Sequence, residues 1–237
     1  MPALPDNDRT PGAPGAPAAI FDLDGTLLDT LPDLHAALNR ALAAFGLPGY
    51  DLDGCRAMVG NGIARLIRDA APEDRREEGF LRELKAVFKK DYTARQLDRT
   101  RPYPGIRELL AGLAARGWPM AVLSNKDHDN ANAVVGHYFP GTFAAVLGAS
   151  PARRPKPDPG GALEAAATLA RAPGDIFYFG DGENDMKVAV ICGFFPVGVS
   201  WGFRSADAVR AAGARIVIDR PDDFLGRLEA TRESDAT

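Results

Sequence analysis

The stretch Ala18-Ala19-Ile20-Phe21-Asp22-Leu23-Asp24-Gly25-Thr26 decides how this chain of 237 residues folds. Its apolar first half is typical of a buried parallel strand, and its acidic second half is typical of the polar groups that such a strand delivers at its carboxyl end. Side chains alternate along an extended chain, so Asp22 and Asp24 are predicted to point to the same side before Gly25 turns the chain. Two carboxylates in one place imply a cation or a shared proton between them.

Beyond residue 100 the chain alternates between apolar runs and amphipathic stretches. Strands are predicted over 119–124, 144–148, 175–180, 195–199 and 216–218. Helices are predicted over 105–116, 127–137, 160–170, 183–192 and 205–212. Alternation of this kind is typical of a parallel sheet covered by helices on both faces. The sequence therefore predicts an α/β core made from residues 18–30 and 100–228.

The segment 31–99 interrupts that pattern directly after the first strand. Helices are predicted within it over 31–46, 61–71 and 73–96, where apolar residues recur at three- and four-residue spacing. No part of it shows the alternation of a strand. We therefore expect a helical insert that opens and closes over the core, with hinges near 29–32 and 100–102.

The bulk composition excludes several classes of protein. Hydrophobic residues make up 46% of the chain and charged residues 25%, with a formal net charge of −4, as in ordinary globular proteins. A mildly acidic chain has no basic field for a polyanion, so nucleic acid is not an expected partner. Cys55 and Cys192 stand far apart, which predicts reduced thiols rather than a disulfide framework or a zinc site.

Both ends of the chain are expected to lie outside the core. Residues 1–17 are rich in Pro, Ala and Gly and are predicted to be a disordered tail, and residues 229–237 are predicted to be a C-terminal tail. The first segment lacks the apolar region of a secretory signal. No stretch reaches the roughly 18 consecutive apolar residues of a membrane-spanning helix. A soluble, cytoplasmic protein without a membrane partner is expected.

Polar side chains follow three more elements of the predicted sheet. Ser124 and Asn125 end the second strand, where a hydroxyl and an amide could hold a phosphoryl oxygen or cap a helix. Lys156 stands between two prolines, which would present its ammonium from a restrained segment. Asp181 ends the fourth strand, and Asp185 lies one turn into the next helix. Ligands bind beyond the carboxyl ends of such strands, so these residues are predicted to meet Asp22 and Asp24 there.

The predicted chemistry is phosphoryl transfer, which needs an aligned nucleophile and positive charge on the phosphoryl oxygens. Asp22 is expected to be the nucleophile, and Asp24 the general acid and base. Oxygen-only ligands favour Mg²⁺, held by Asp22, Asp181 and the main-chain carbonyl of Asp24. Ser124, Lys156 and the backbone amides near Gly25 are expected to stabilise the remaining charge on the phosphoryl oxygens. Supporting positions are Gly25, Thr26, Asn125 and Asp185.

These segments resemble, in order, the four motifs of the haloacid dehalogenase-like superfamily. They read Asp22-Leu-Asp-Gly-Thr, Ser124-Asn, Lys156-Pro and Gly180-Asp-Gly-Glu-Asn-Asp185. The resemblance covers residues 18–228. It implies a Rossmann-like core and dependence on magnesium, and it implies that the insert is the helical C1 cap of that superfamily.

Within the superfamily the chain resembles the phosphoglycolate phosphatase group, which makes 2-phosphoglycolate the leading candidate substrate. The segment Val59-Gly60-Asn61-Gly62-Ile-Ala-Arg65 is similar to the specificity loop of that group's cap, as are 101–105 and 199–202 to other segments of its members. Gly60, Asn61 and Gly62 would then approach the substrate closely, although a plain interhelical turn explains the same residues. Arg65 or Arg68 could pair with a substrate carboxylate, or simply face solvent.

Other functions stay open at this point. The segment Gly182-Glu-Asn-Asp185 is equally similar to the fourth motif of phosphoserine phosphatases, and a β-phosphoglucomutase-like phosphosugar mutase would share all four motifs. A dehalogenase would lack Asp24, and a non-catalytic scaffold would not need every charged position filled. A small phosphorylated metabolite is the expected partner, bound by a monomer or a homodimer.

Overall fold

The structure is a computed structural model that describes residues 17–235, with side chains described through residue 230. The predicted disordered tail therefore lies outside the described residues, except for the buried Pro17. The strands are β1 (Ala18–Phe21), β2 (Leu28–Asp29), β3 (Arg101–Pro102), β4 (Met120–Asp127), β5 (Ala145–Ala149), β6 (Ile176–Gly180), β7 (Phe195–Val199) and β8 (Ile216–Ile218). The α-helices are α1 (Leu31–Ala44), α2 (Leu52–Met58), α3 (Ile63–Ala70), α4 (Glu78–Arg95), α5 (Ile106–Ala115), α6 (His128–Tyr138), α7 (Gly160–Thr168), α8 (Glu183–Cys192), α9 (Ala206–Ala211) and α10 (Pro221–Asp235).

Six strands form one parallel sheet in the order β5-β4-β1-β6-β7-β8. The chain leaves β1 toward β4 and β5, then returns to pair β6 on the other side of β1. The carboxyl end of β1 is thus the point where the strand order reverses, and such a point opens a crevice for ligands. The predicted α/β fold with a parallel sheet is confirmed, and the acidic end of β1 lies at that crevice.

Strict alternation along β1 builds the core on both faces of the sheet. Ala19 and Phe21 join one apolar cluster, in which Phe21 stacks on Phe179 with ring centroids 4.5 Å apart. Ala18 and Ile20 join the opposite cluster, against α7 and α8. Because β1 is covered on both sides, its four residues are buried, and the loop that follows it is held firmly in place.

The insert forms its own apolar cluster from helices α1 to α4. Leu34, Leu38 and Leu42 of α1 are buried at the predicted spacing. Helix α2 is not among the three helices predicted there, because it is short and contains Gly54. It begins at the N-cap Asp51, whose side chain accepts a hydrogen bond from the backbone N–H of Gly54. We call this unit the cap.

The two connections between cap and core run side by side. Strands β2 and β3 pair antiparallel, with Leu28 opposite Pro102. Next to them Asp33 accepts hydrogen bonds from the backbone N–H groups of Arg99 and Thr100 and from the hydroxyl of Thr100. The segments predicted as hinges coincide with this two-stranded ribbon.

The end of the chain differs from the sequence-based expectation. Helix α10 continues through Asp235, so the predicted tail over 229–237 is wrong for 229–235, and the last two residues lie outside the described part. Leu228 is buried, and Glu229 pairs with Arg116 at 2.8 Å, so α10 is packed on α5 through its middle. Across residues 17–235 no helix combines the length and apolar character needed to cross a membrane.

Candidate active site

A tight loop after β1 presents Asp22 and Asp24. The backbone N–H of Asp22 still donates to Phe179 of β6, at 2.9 Å, so Asp22 continues the sheet while its side chain enters the crevice. Gly25 adopts a left-handed φ of 89°, and a Cβ there would lie 2.4 Å from Oδ2 of Asp181. Only glycine therefore lets this loop close against Asp181.

Three buried carboxylates meet beneath that loop. Asp22, Asp181 and Asp185 can each offer an oxygen within 4.8 Å of the others. Asp181 is held by the hydroxyl of Thr26 at 3.2 Å and by the backbone N–H of Phe203 at 2.7 Å. Burial and the nearby Asp185 raise the pKa of Asp22 to about 8, and the same two causes raise the pKa of Asp181 to about 7. These groups carry their charges at neutral pH only at a cost in free energy, which a cation would offset.

The donor set fits a divalent metal ion. All three groups are carboxylates, and hard divalent cations prefer oxygen ligands. Oδ1 of Asp22 is buried and accepts no hydrogen bond, and its charge is balanced only by the ammonium of Lys156, 2.8 Å away. Asp185, in contrast, already accepts from Lys156 at 2.6 Å, from the hydroxyl of Tyr178 and from the backbone N–H of Gly182. These three bonds hold the carboxylate of Asp185 in place.

Lys156 brings a fixed positive charge to Asp22. Its ammonium lies 2.8 Å from Oδ1 of Asp22, outside hydrogen-bond geometry, and donates to Asp185 and to the carbonyl of Leu123. Burial disfavours the charged form, but Asp185 and Asp22 outweigh it and hold the pKa of Lys156 well above its ordinary value. The ammonium therefore stays charged beside the acidic cluster.

Asn125 ties three segments of the site together. Its side-chain oxygen accepts the backbone N–H of Lys156 at 2.6 Å, and its amide donates to the carbonyls of Gly60 and Lys156. Asn125 thus holds both the loop that contains Lys156 and the loop of the cap that contains Gly60. Ser124 beside it is buried and faces the same crevice.

Lys126 is a site residue that the sequence analysis did not single out. It is buried, and its ammonium donates to both oxygens of Asp24, at 2.9 and 3.1 Å, and to the hydroxyl of Tyr92 from the cap. Burial disfavours its charge, but Asp24 and Tyr92 raise the pKa of Lys126 above its ordinary value. The available signal was a lysine directly after Ser124 and Asn125, at the end of an apolar strand.

The cap loop 59–62 reaches the core as the sequence predicts, but Arg65 does not. Gly60, Asn61 and Gly62 line the crevice, and Asn184 of the core donates to Asn61 at 2.6 Å. Arg65 is instead 62% exposed in its side chain and paired with Asp69 one helical turn away. Arg68 lies on another face of the cap, beside Arg76, Arg82 and Lys85.

A further contact from the core holds the cap loop. Arg204, in the loop after β7, donates to the carbonyls of Arg56, Ala57 and Val59. The first two belong to the last turn of α2, where carbonyls lack partners within the helix. Arg204 therefore fastens the cap to the core beside the acidic cluster.

The crevice consists of two cavities that share Asp22, Asp24, Val59 and Gly60. The acidic cavity is further lined by Asn61, Lys156, Asp181, Gly182, Glu183, Asn184, Asp185, Phe203 and Arg204. The apolar cavity is further lined by Leu34, Gly62, Ile63, Leu66, Tyr92, Ser124, Asn125 and Lys126. Asp22 and Asp24 thus lie between the two cavities. The acidic cavity suits a metal ion together with an anion, and the apolar cavity suits a small organic group.

Comparison with known proteins agrees with this arrangement. The sequence profile of haloacid dehalogenase-like hydrolases matches residues 16–193. The phosphoglycolate phosphatase of Caulobacter vibrioides is 36% identical over 207 residues, which span 84% of this chain and 84% of that protein. "Probable phosphatase IndB" of Dickeya dadantii is 31% identical over 218 residues, 90% of this chain and 94% of that protein.

A solved structure shares the fold over nearly its whole length. The crystal structure of a predicted phosphoglycolate phosphatase from Haemophilus somnus matches with a TM-score of 0.82 at 26% identity, covering 91% of this chain and 99% of that one. The family expected from the four motifs is thereby confirmed. This chain belongs to the haloacid dehalogenase-like hydrolase family.

Proposed function

We propose that this hydrolase is a Mg²⁺-dependent phosphatase that cleaves a small phosphate monoester through a phospho-aspartyl intermediate on Asp22, with 2-phosphoglycolate as the leading substrate. The observation that carries the proposal is the position of Asp22 and Asp24 between the acidic cavity and the apolar cavity. A phosphoryl group in the first cavity and its alcohol in the second would place the scissile bond between the two carboxylates.

The first half-reaction transfers the phosphoryl group to the protein. A carboxylate oxygen of Asp22 attacks phosphorus, and the bond from phosphorus to the alcohol oxygen breaks. Asp24 donates a proton to that departing oxygen. Lys156 holds positive charge beside Asp22, at 2.8 Å. Ser124 lines the neighbouring apolar cavity and would bind a phosphoryl oxygen at the border between the two cavities.

The second half-reaction returns the protein to its starting state. Asp24, now a carboxylate, takes a proton from water, and the resulting hydroxide attacks phosphorus. The bond between phosphorus and Asp22 breaks, which releases inorganic phosphate. Asp22, Asp181 and the main-chain carbonyl of Asp24 would hold Mg²⁺, which would supply positive charge to the phosphoryl oxygens.

The walls of the apolar cavity support a small substrate. Leu34, Ile63 and Leu66 give the place of the alcohol an apolar wall on the cap side, which disfavours the several hydroxyls of a sugar there. Relatives from several bacteria bear the name phosphoglycolate phosphatase, which agrees with a two-carbon alcohol.

The test is phosphate release from a panel of esters, with Mg²⁺ and with a chelator. The panel contains 2-phosphoglycolate, phosphoserine, pyrophosphate and hexose phosphates. We expect release led by 2-phosphoglycolate and abolished by the chelator and by Asp22→Asn, whereas the exposed cap variant Asp74→Asn should match the wild type. Isomerisation of a sugar phosphate without release would replace the phosphatase by a mutase, and no reaction with any ester would overturn the proposal.

A further inference from the structure

The apolar cavity contains one buried positive charge that the proposed mechanism does not use. The side chain of Lys126 is 2% exposed, and among the described residues that line this cavity it is the only cation. Lys156, the other buried lysine of the crevice, lines the acidic cavity instead. The two ammonium groups thus lie on opposite sides of the pair Asp22 and Asp24.

A buried ammonium among leucine and isoleucine side chains is costly unless its hydrogens are bonded to acceptors. In this structure those acceptors are the two oxygens of Asp24 and the hydroxyl of Tyr92. Lys126 also lies over the Tyr92 ring, 4.8 Å from its centroid, and Tyr92 stacks on Phe88 inside the cap. The cap therefore fixes the ammonium at one place, beside the group that must reach the departing oxygen.

From this placement we infer that Lys126 is a specificity-determining residue, which exchanges one of its two hydrogen bonds to Asp24 for a carboxylate on the carbon next to the ester carbon of the substrate. The inference rests on the proposed phosphatase function and deepens it: the substrate class is a short phosphorylated 2-hydroxy acid. Arg65, the residue that the sequence suggests for this task, is turned toward Asp69 instead.

Distance decides which carboxylate fits. Asp24 must lie within a hydrogen bond of the ester oxygen to protonate it, and Lys126 lies within a hydrogen bond of Asp24. The ammonium can therefore reach a carboxylate that is separated from the ester oxygen by one carbon. A longer chain would carry its carboxylate beyond the reach of Lys126, to the apolar side chains of Leu34 and Leu66 that also line the cavity. The substrate carboxylate would then have no partner for its charge.

The experiment compares three esters in steady-state kinetics: 2-phosphoglycolate, the uncharged ethyl phosphate and the longer 3-phosphooxypropanoate. Wild type should prefer 2-phosphoglycolate over both. In Lys126→Met, kcat/KM for 2-phosphoglycolate should fall by about 10- to 100-fold, mainly through KM, because a charged hydrogen bond is lost. Loss of the contact with Asp24 lowers the rate on both esters alike, so kcat/KM for ethyl phosphate, which makes no such bond, should fall by at least about threefold less than kcat/KM for 2-phosphoglycolate.

Three further variants separate this role from others. Tyr92→Phe keeps the packing and removes one acceptor of the ammonium, so it should raise KM for 2-phosphoglycolate by about two- to fivefold, which tests the inference even if Lys126→Met does not fold. The matched control is Lys90→Met, which removes an exposed charge from α4, the helix that also carries Tyr92. It should keep the wild-type preference. Arg65→Met should keep the preference as well.

Specific results would overturn the inference. Equal losses of kcat on 2-phosphoglycolate and ethyl phosphate in Lys126→Met would make Lys126 a positioning residue for Asp24 alone. Loss of the preference in Arg65→Met would return the task to Arg65. Equal kcat/KM of the wild type on ethyl phosphate and 2-phosphoglycolate would refute this inference but not the phosphatase function. Cleavage of no ester by the wild type would refute the proposed function itself.

Discussion

The two cavities on either side of Asp22 and Asp24 are built in opposite ways. The acidic cavity is lined mainly by loops at the ends of core strands, and its charged groups bond to one another, as Lys156 does to Asp185 at 2.6 Å. The apolar cavity takes most of its wall from the cap, and its one cation bonds to a residue of each unit, Asp24 and Tyr92. The core thus supplies the acidic cluster and Lys156, and the cap supplies most of the apolar wall.

The largest effect expected from this division is the loss of the nucleophile. Asp22→Asn should lower phosphate release by at least about three orders of magnitude on every ester, because no covalent intermediate can form. The measurement is single-turnover phosphate release with Mg²⁺ present. The folded state should persist, since the amide removes one of three crowded carboxylates. Residual turnover close to that of wild type would refute the role of Asp22 and, with it, the assignment of the reaction to the acidic cavity.

Removal of the buried cation of the acidic cavity should damage stability as well as rate. Lys156→Met leaves Asp22 and Asp185 without their ammonium, and breaking a buried pair of this kind costs about 3–5 kcal/mol in free energy of unfolding. Urea unfolding of the metal-free protein measures this. Lys187→Met, an exposed pair one turn along α8, should cost less than about 1 kcal/mol. Equal costs for the two variants would show that Lys156 does not hold the cavity together.

The metal-free acidic cavity should make stability depend on pH in a defined direction. The pKa of Asp22 is raised to about 8 and that of Asp181 to about 7 in the folded protein, from an ordinary value of 3.8. The folded state then holds more protons than the unfolded chain, so the free energy of unfolding falls as pH rises from about 4 to about 8.

Thermal unfolding with a chelator at about pH 5 and about pH 8 checks this, with a loss of at least about 1 kcal/mol expected at the higher pH. Mg²⁺ favours the ionised carboxylates, so it should restore more stability at the higher pH than at the lower. Asp181→Asn should flatten the dependence. Stability that rises over this range without metal would contradict the burial of these charges.

The smallest effect concerns the fastening of the cap. Arg204→Met removes hydrogen bonds to the carbonyls of Arg56 and Val59, so the wall of the apolar cavity should loosen while the acidic cavity stays intact. KM should rise by about three- to tenfold with kcat within a factor of about two. Arg210→Met, which loses only an exposed pair with Asp207, is the matched control. A fall in kcat with unchanged KM would mean that Arg204 serves the chemistry instead.

Residues at the sheet edge could be predicted because short-range patterns determine their positions. A buried strand that ends in Asp22-Leu-Asp-Gly must deliver its carboxylates at the carboxyl edge, and Asp181 follows β6 for the same reason. The order of strands then brings them together. Both the parallel sheet and the acidic cluster follow from alternation and topology alone.

Other features depend on contacts that no local pattern encodes. Lys126 meets Asp24 across 102 residues of chain and Tyr92 across 34, so its partners emerge only when the cap packs on the core. Arg204 likewise reaches Val59 across 145 residues. The exposed position of Arg65 was readable in principle, because Asp69 lies four residues further along the same helix and competes for its charge.

The ribbon of β2 and β3 gives the cap a single joint. Asp33 binds the returning segment at Arg99 and Thr100, so the entry and the exit of the cap are fastened at one place. A unit attached in this way can be exchanged as a whole. A relative's cap grafted between Asp29 and Arg101 would be joined to the core through the same pair of strands. Replacing one contiguous stretch of gene would then change the wall that the cap contributes to the apolar cavity, while Lys126 and the carboxylates of the core stay untouched.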